Sequence, residues 1–220
     1  MNGNAFILFL KYPERGAVKT RLARTLGDDV AYELYACFLS DIAAMTHQVN
    51  AETIIVYAGP AGIMFPDFPG VRLMQQRGSG IGCRMYFALE DVFALGFERC
   101  VLVGSDIPDL PARLVNDALN KLEVVDVVLG PSRDGGYYLV GCNRASLCRP
   151  MFSGIPWSTS GVLSETLRRI AEAGLVTAQV EEWWDIDEPD DLRQFYARNS
   201  DAAGASKVMK FLEAKGIINR

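Results

Sequence analysis

Seven short, mostly apolar runs punctuate the chain, and the segments between them carry helical periodicity. The runs fall at residues 5–10, 53–58, 71–75, 100–104, 124–129, 136–141 and 176–180. Each has the length of a strand and is bounded by turn-forming residues. Asp28-Asp29 places acids where a helix has its positive end, and Leu34, Phe38, Ile42, Met45 and Val49 then recur along one helical face. Further helices are expected at 80–95, 111–122 and 158–173, with a short one inside 16–27 and two more from about 188. This alternation predicts an α/β/α three-layer sandwich around a mainly parallel (mixed) sheet covered on both faces. In such sheets a ligand sits beyond the carboxyl ends of the strands, so the residues just after each strand are the informative ones.

A sheet covered on both faces needs a real core, and the composition supplies it: 50% of 220 residues are hydrophobic and 22% charged. That length suits one domain over 1–220, with closing helices from about 188; no linker, repeat or low-complexity run divides it. The net charge of −5 argues against a nucleic-acid face, which needs a broad basic surface. Yet Lys11, Arg15, Lys19, Arg21 and Arg24 share one short segment whose single acid is Glu14. Composition alone leaves a local anion site and a solvated basic helix face evenly matched. Five scattered cysteines without a Cys-x-x-Cys pair read as reduced thiols of a cytoplasmic protein. The run at 6–10 lacks the flanks of a signal peptide, and no stretch approaches a membrane span. The lone histidine, His47, falls late on a helix and reads as a polar helix end. The chemistry must therefore run on carboxylates, Lys and Arg, with or without a metal. No exposed apolar stripe decides between monomer and homodimer.

Four segments after strands carry the candidate chemistry. In Lys11-Tyr-Pro-Glu-Arg-Gly16-Ala-Val-Lys19-Thr-Arg21-Leu22, Gly16 permits close backbone approach while Lys19 and Arg21 sit near a helix start, a combination that favours phosphate. The Gly-Lys-Ser/Thr order of a P-loop is missing. In Gly104-Ser105-Asp106-Ile107-Pro108, the strand delivers Asp106 to the sheet edge, where a carboxylate can bind Mg²⁺ together with phosphate and water. Asp109, two residues before Pro111, is the better candidate for capping the next helix. Ser132-Arg133-Asp134-Gly135-Gly136-Tyr137 reads in isolation as a hairpin turn, but its position after a buried strand makes it a ligand loop as well. In Asp185-Ile186-Asp187-Glu188-Pro189-Asp190-Asp191, Pro189 opens a helix; Asp187 is a possible second metal ligand, although by spacing alone capping is the stronger reading. The Gly78-Ser79-Gly80 stretch fits a ring lying on backbone and a flexible loop equally.

In this order, these segments resemble the GT-A, or nucleotide-diphospho-sugar transferase, superfamily, and within it small bacterial members related to the 2-phospho-lactate guanylyltransferases. The resemblance runs from about Phe6 to Leu192, and Gly154-Ile155-Pro156-Trp157-Ser158-Thr159 contributes to it. It implies that Asp106 and Asp187 hold Mg²⁺ or Mn²⁺, that Lys19 and Arg21 grip phosphate oxygens with Lys11 and Gly16 in the same loop, and that Gly78 and Gly80 pass near the base. Asp134, Gly135, Gly136, Tyr137 and Trp157 would line the acceptor or sugar pocket, with core packing an equal reading for Trp157.

The sequence departs from the family at two points. Lys11-Tyr-Pro-Glu-Arg-Gly16 replaces the Gly-Gly-x-Gly-x-Arg run of sugar-nucleotide synthesising members, which points away from a triphosphate substrate. Ser105-Asp-Ile-Pro108 replaces the Asp-x-Asp of many glycosyltransferases, which points back toward nucleotidyl transfer. The leading expectation is a metal-dependent transferase using a nucleotide-diphospho-sugar and a small-molecule acceptor, in which Lys19 and Arg21 share the metal's role at the departing diphosphate and Asp134 positions or deprotonates the acceptor hydroxyl. The alternatives are a nucleotidyltransferase that consumes a nucleoside triphosphate and releases pyrophosphate, and a non-catalytic nucleotide-binding module.

Overall fold

The computed structural model describes residues 3–200 and 206–217. Seven strands form one sheet in the order β3-β2-β1-β4-β6-β5-β7. They are β1 (Asn4–Lys11), β2 (Glu52–Ala58), β3 (Arg72–Gln75), β4 (Arg99–Gly104), β5 (Val127–Pro131), β6 (Tyr137–Asn143) and β7 (Thr177–Gln179). Pairing is parallel throughout except at β6, which runs antiparallel to both β4 and β5. The five-residue connection between β5 and β6 is too short for a crossover, so β6 must reverse direction there.

Side chains alternate along the central strands and feed two cores. Phe6 and Leu8 face one layer, with α1 (Thr20–Leu26), α2 (Asp28–Thr46), α4 (Ala112–Lys121), α6 (Pro189–Arg198) and α7 (Lys207–Lys215). Ala5 and Ile7 face the other, with α3 (Ile81–Phe93) and α5 (Val162–Glu172). The expected three layers with a mainly parallel, mixed sheet are therefore present.

The boundaries that moved have local causes. The strand expected from 124 starts at Val127, because the chain is still leaving α4 and Val124 is 84% exposed. The helix expected from 158 starts at Val162, because Ser158 has a φ of 65°, which no helix contains. Two 3₁₀ turns, Arg144–Ser146 and Arg149–Phe152, were not expected; the second buries Met151 and Phe152 against α3. His47 is the exposed C-cap of α2, as its setting suggested.

The closing helices pack on the domain. The Asp41 carboxylate on α2 accepts hydrogen bonds from Ser206 Oγ, Lys207 N and Val208 N, at 2.6, 2.7 and 3.1 Å. Val208, Met209 and Leu212 are fully buried beneath that clamp. No described helix is long and apolar enough to cross a membrane.

Candidate active site

A cavity of about 540 Å³ opens at the carboxyl ends of β1 and β4. Lys11, Lys19, Arg21, Asp106 and Asp187 border it, as do Asp134, Gly136, Tyr137 and Trp157. Segments far apart in sequence thus meet at the edge where the topology predicts a ligand.

Lys19 is the centre of this arrangement. It caps α1 in the left-handed region, at φ 47° and ψ 42°, a conformation that costs a non-glycine residue about 1 kcal/mol. The backbone there turns the side chain inward, leaving it 3% exposed. Its ammonium donates to Ile186 O and lies 2.5 Å from Asp106 Oδ1 and 3.5 Å from Asp187 Oδ1. Arg21, more open to solvent, sits 3.6 Å from Asp187 and 3.7 Å from Glu188. Helix α1 has only seven residues, so these cations rather than its dipole make the site attractive to anions.

Asp106 is positioned by a buried polar relay. Ser105 Oγ and Tyr35 Oη share a hydrogen bond of 2.8 Å, and Tyr35 Oη donates to Lys11 O at 3.1 Å. Burial, with a smaller push from Asp106, raises the Tyr35 pKa, so the phenol keeps the proton it donates. One side chain from α2 therefore ties the ends of β1 and β4 together. Ile186 N donates to the main-chain oxygen of Asp106 at 2.9 Å, which brings Asp187 alongside.

Two neighbouring acids are not the helix caps that their spacing suggests. Asp109 does not cap α4, whose N-cap is Pro111 with no side-chain bond. Instead the almost buried Asp109 carboxylate accepts from Arg198 Nε at 2.6 Å, Asn199 Nδ2 at 2.8 Å and Trp183 Nε1 at 3.4 Å. It anchors both ends of the segment that carries Asp187. A carboxylate that can hold a guanidinium, an amide and an indole N–H gains more there than at an isolated helix start. Asp187 is not the cap either: Glu188 and Asp191 form the capping box of α6, which leaves Asp187 facing the cavity.

The 132–137 segment is both hairpin and cavity wall. Asp134 Oδ1 accepts from Ser132 Oγ at 2.5 Å and from Gly136 N at 2.9 Å, closing the turn between β5 and β6. Gly135 has a φ of 86°, and a Cβ there would meet Ser160 O at 2.3 Å, so the hairpin tip docks tightly before α5. Tyr137 meets Trp157 edge-on at 6.2 Å, and a Cβ on Gly82 would approach the Trp157 ring at 2.7 Å. Trp157 is thus a fixed wall of the cavity.

Gly16, Gly78, Gly80 and Gly135 do not border the cavity. Packing accounts for Gly78 and Gly135: at φ 98°, a Cβ on Gly78 would lie 2.8 Å from Cys83 Sγ and 2.9 Å from the Phe87 ring.

Asp185 also lines the cavity, and sequence reasoning passed over it. The signal was there in Asp185-Ile186-Asp187: in an extended segment, residues two apart share a face. Ile186, fully buried between them, fixes which face that is. Burial, then Asp187 and Asp134, push the Asp185 pKa from 3.8 up to about 6. Its neutral form is therefore favoured on folding: the associated stability is complete below pH 4 and is lost as pH rises through 6. Each unit is worth about 1.4 kcal/mol, and solvent screening at this partly exposed site reduces the total to about 1–2 kcal/mol. Asp185→Asn is expected to raise unfolding stability by about that amount at pH 7 in EDTA, while matching wild type at pH 4. Denaturant melts at the two pH values check it; an equal effect at both would show that charge is not the cause.

Among the described residues, no group of three or more His, Cys, Asp or Glu side chains is arranged to hold a metal ion. The pair Asp106 and Asp187 nevertheless suits Mg²⁺ or Mn²⁺, because such ions take one or two protein carboxylates and complete their shell with phosphate and water. Both carboxylates face Lys19, a cation already held in the place where a divalent ion would compete.

Comparison with known proteins agrees with this fold. Residues 41–159 match the family described as "Uncharacterized protein conserved in bacteria (DUF2064)". A 2-phospho-L-lactate guanylyltransferase of Methanopyrus kandleri is 30% identical over 188 residues, covering 82% of this chain and 86% of its own. A provisionally named nucleotide-diphospho-sugar transferase from Desulfovibrio desulfuricans G20 superposes with a TM-score of 0.92 at 35% identity, covering 100% of this chain and 98% of that one. CMP:2-keto-3-deoxy-manno-octonic acid synthetase complexed with CTP shares the fold alone, with a TM-score of 0.56 at 16% identity over 90% of this chain and 99% of that one. With its sheet, its cavity and these relatives in agreement, the chain belongs to the DUF2064 family and is a transferase of the nucleotide-diphospho-sugar transferase fold.

Proposed function

We propose that this chain is a metal-dependent nucleotidyltransferase, which joins a nucleoside monophosphate from a triphosphate to a small phosphorylated acid. The observation that carries the reading is the meeting of Lys19, Asp106 and Asp187, from three separate segments, at one end of the cavity. Residues 1–220 are read as one catalytic domain.

In this reading Asp106 and Asp187 would hold Mg²⁺ or Mn²⁺, which when bound screens the charge of the phosphate oxygens. Lys19 turns from the carboxylates to the phosphates, and Arg21 and Lys11 add the remaining positive charge. A phosphate oxygen of the acceptor forms a bond to the α-phosphorus. The bond from that phosphorus to the β-phosphate oxygen breaks, and pyrophosphate leaves with both electrons. No proton has to move. Asp134 holds the hairpin that bounds the acceptor side, and Tyr137 and Trp157 exclude water there.

The names of the archaeal relatives favour guanine as the base and a phosphorylated hydroxy acid as the acceptor. The Desulfovibrio protein's name favours a second reading, in which a nucleotide-diphospho-sugar donates its sugar and a nucleoside diphosphate leaves. The leaving group separates the two. Incubation with GTP, Mg²⁺ and 2-phospho-L-lactate is expected to release pyrophosphate; release of nucleoside diphosphate from nucleotide-sugars, with none of pyrophosphate, would establish the second.

A further inference from the structure

Lys19 and Ser158 are the non-glycine residues with positive φ among those described, at 47° and 65°, and both border the same cavity. They do so from opposite layers. Lys19 belongs to the α1 side, and Ser158 stands beside Trp157, which packs with α3 and α5. Strain held at two ends of one cavity marks two places where the backbone is shaped for something other than packing. The first end is the phosphate grip described above.

Arg84, in the first turn of α3, borders the same cavity, and on that turn Gly82 packs against the ring of Trp157, the residue before Ser158. Its Nε donates to Gly78 O at 3.3 Å, a long bond to a neutral group. Arg15, Arg21, Arg77 and Arg133 each pair with a carboxylate, whereas among the described residues none lies within ion-pair reach of Arg84. Ile81 and Met85, which line the cavity from the same helix, are apolar. Lys11 also faces no carboxylate, but it stands at the end of β1 with Lys19.

A guanidinium on an apolar wall is a strong site for a planar anion, which it can bind through two parallel hydrogen bonds. If the nucleotide's phosphates are taken up by Lys11, Lys19 and Arg21, its base can offer Arg84 only neutral acceptors, which leave the guanidinium's charge unpaired. We propose that Arg84 binds the carboxylate of the acceptor, and so selects phosphorylated acids over phosphate esters that lack one. This rests on the nucleotidyltransferase reading and assigns that site its acceptor end.

The test is calorimetric titration of the full chain with 2-phospho-L-lactate, 3-phosphoglycerate, isopropyl phosphate and, separately, GTP with Mg²⁺. Isopropyl phosphate replaces the carboxylate of phospholactate by a methyl group. Wild type is expected to bind at least one of the two acids ten-fold or more tighter than isopropyl phosphate. Arg84→Met should weaken that acid by about ten- to a hundred-fold, the loss typical of a charged hydrogen-bonded pair, and leave isopropyl phosphate and GTP within two-fold. Arg84→Lys should keep part of the preference, and unfolding midpoints show whether each variant is folded. The proposal is overturned if wild type binds neither acid, if the preference survives Arg84→Met, or if that variant loses GTP as strongly as it loses the acid. Absence of GTP binding by wild type would instead remove the nucleotidyltransferase reading beneath it.

Discussion

Asp106→Asn is expected to lower turnover by about a thousand-fold or more while leaving the fold in place. The substitution removes the charge at the meeting point of β1, β4 and the 185–187 segment, where the proposed mechanism would hold its metal ion. The fold should survive because Ile186 N binds the main-chain oxygen of residue 106, not its carboxylate. Lys19 keeps Ile186 O and Asp187 as partners. The unfolding midpoint should therefore correspond to a loss of no more than about 1–2 kcal/mol. Turnover from pyrophosphate release, beside a denaturant melt, checks both halves. An active Asp106→Asn enzyme would mean that the carboxylate is structural.

Lys19→Met should move two measurements in opposite directions. Turnover should fall by about a hundred- to a thousand-fold, because the cation nearest the two carboxylates is also the one best placed for phosphate. In the nucleotide-free protein, however, affinity for Mn²⁺ should rise by about ten-fold, since the ammonium 2.5 Å from Asp106 no longer competes with the ion. Methionine fills the buried stem without charge. Titration of Mn²⁺ by electron paramagnetic resonance reads the second effect. A weaker or unchanged Mn²⁺ affinity would show that Asp106 and Asp187 do not form the cation site.

Residues whose position at the cavity follows from their place at a strand end were legible in the sequence. Asp106 and the Lys19–Arg21 loop follow apolar runs that could only be strands, and the edge where such strands end is where a ligand binds. Asp187 needed the family resemblance, because its spacing alone fits a cap. Harder to read were residues whose partners are distant in sequence. Asp109 looks like a helix cap until Arg198 and Asn199, some ninety positions later, are seen to hold it. Asp185 carries its signal in the spacing to Asp187, but the burial that shifts its pKa comes from the whole cavity. The glycines were the least legible: Gly78 and Gly135 permit the close approach of Cys83, Phe87 and Ser160. A glycine reports that something comes near, and sequence does not say what.

The account turns on one cavity holding nucleotide phosphates between Lys19 and the pair Asp106 and Asp187. Its most direct test is a crystal structure with Mn²⁺ and a non-hydrolysable GTP analogue, phased on the manganese anomalous signal. An anomalous peak bonded to both carboxylates, with Lys19 turned onto the phosphates, is the predicted result. A nucleotide bound elsewhere, or phosphates at this edge with Lys19 still on Asp106 and no metal, would contradict it.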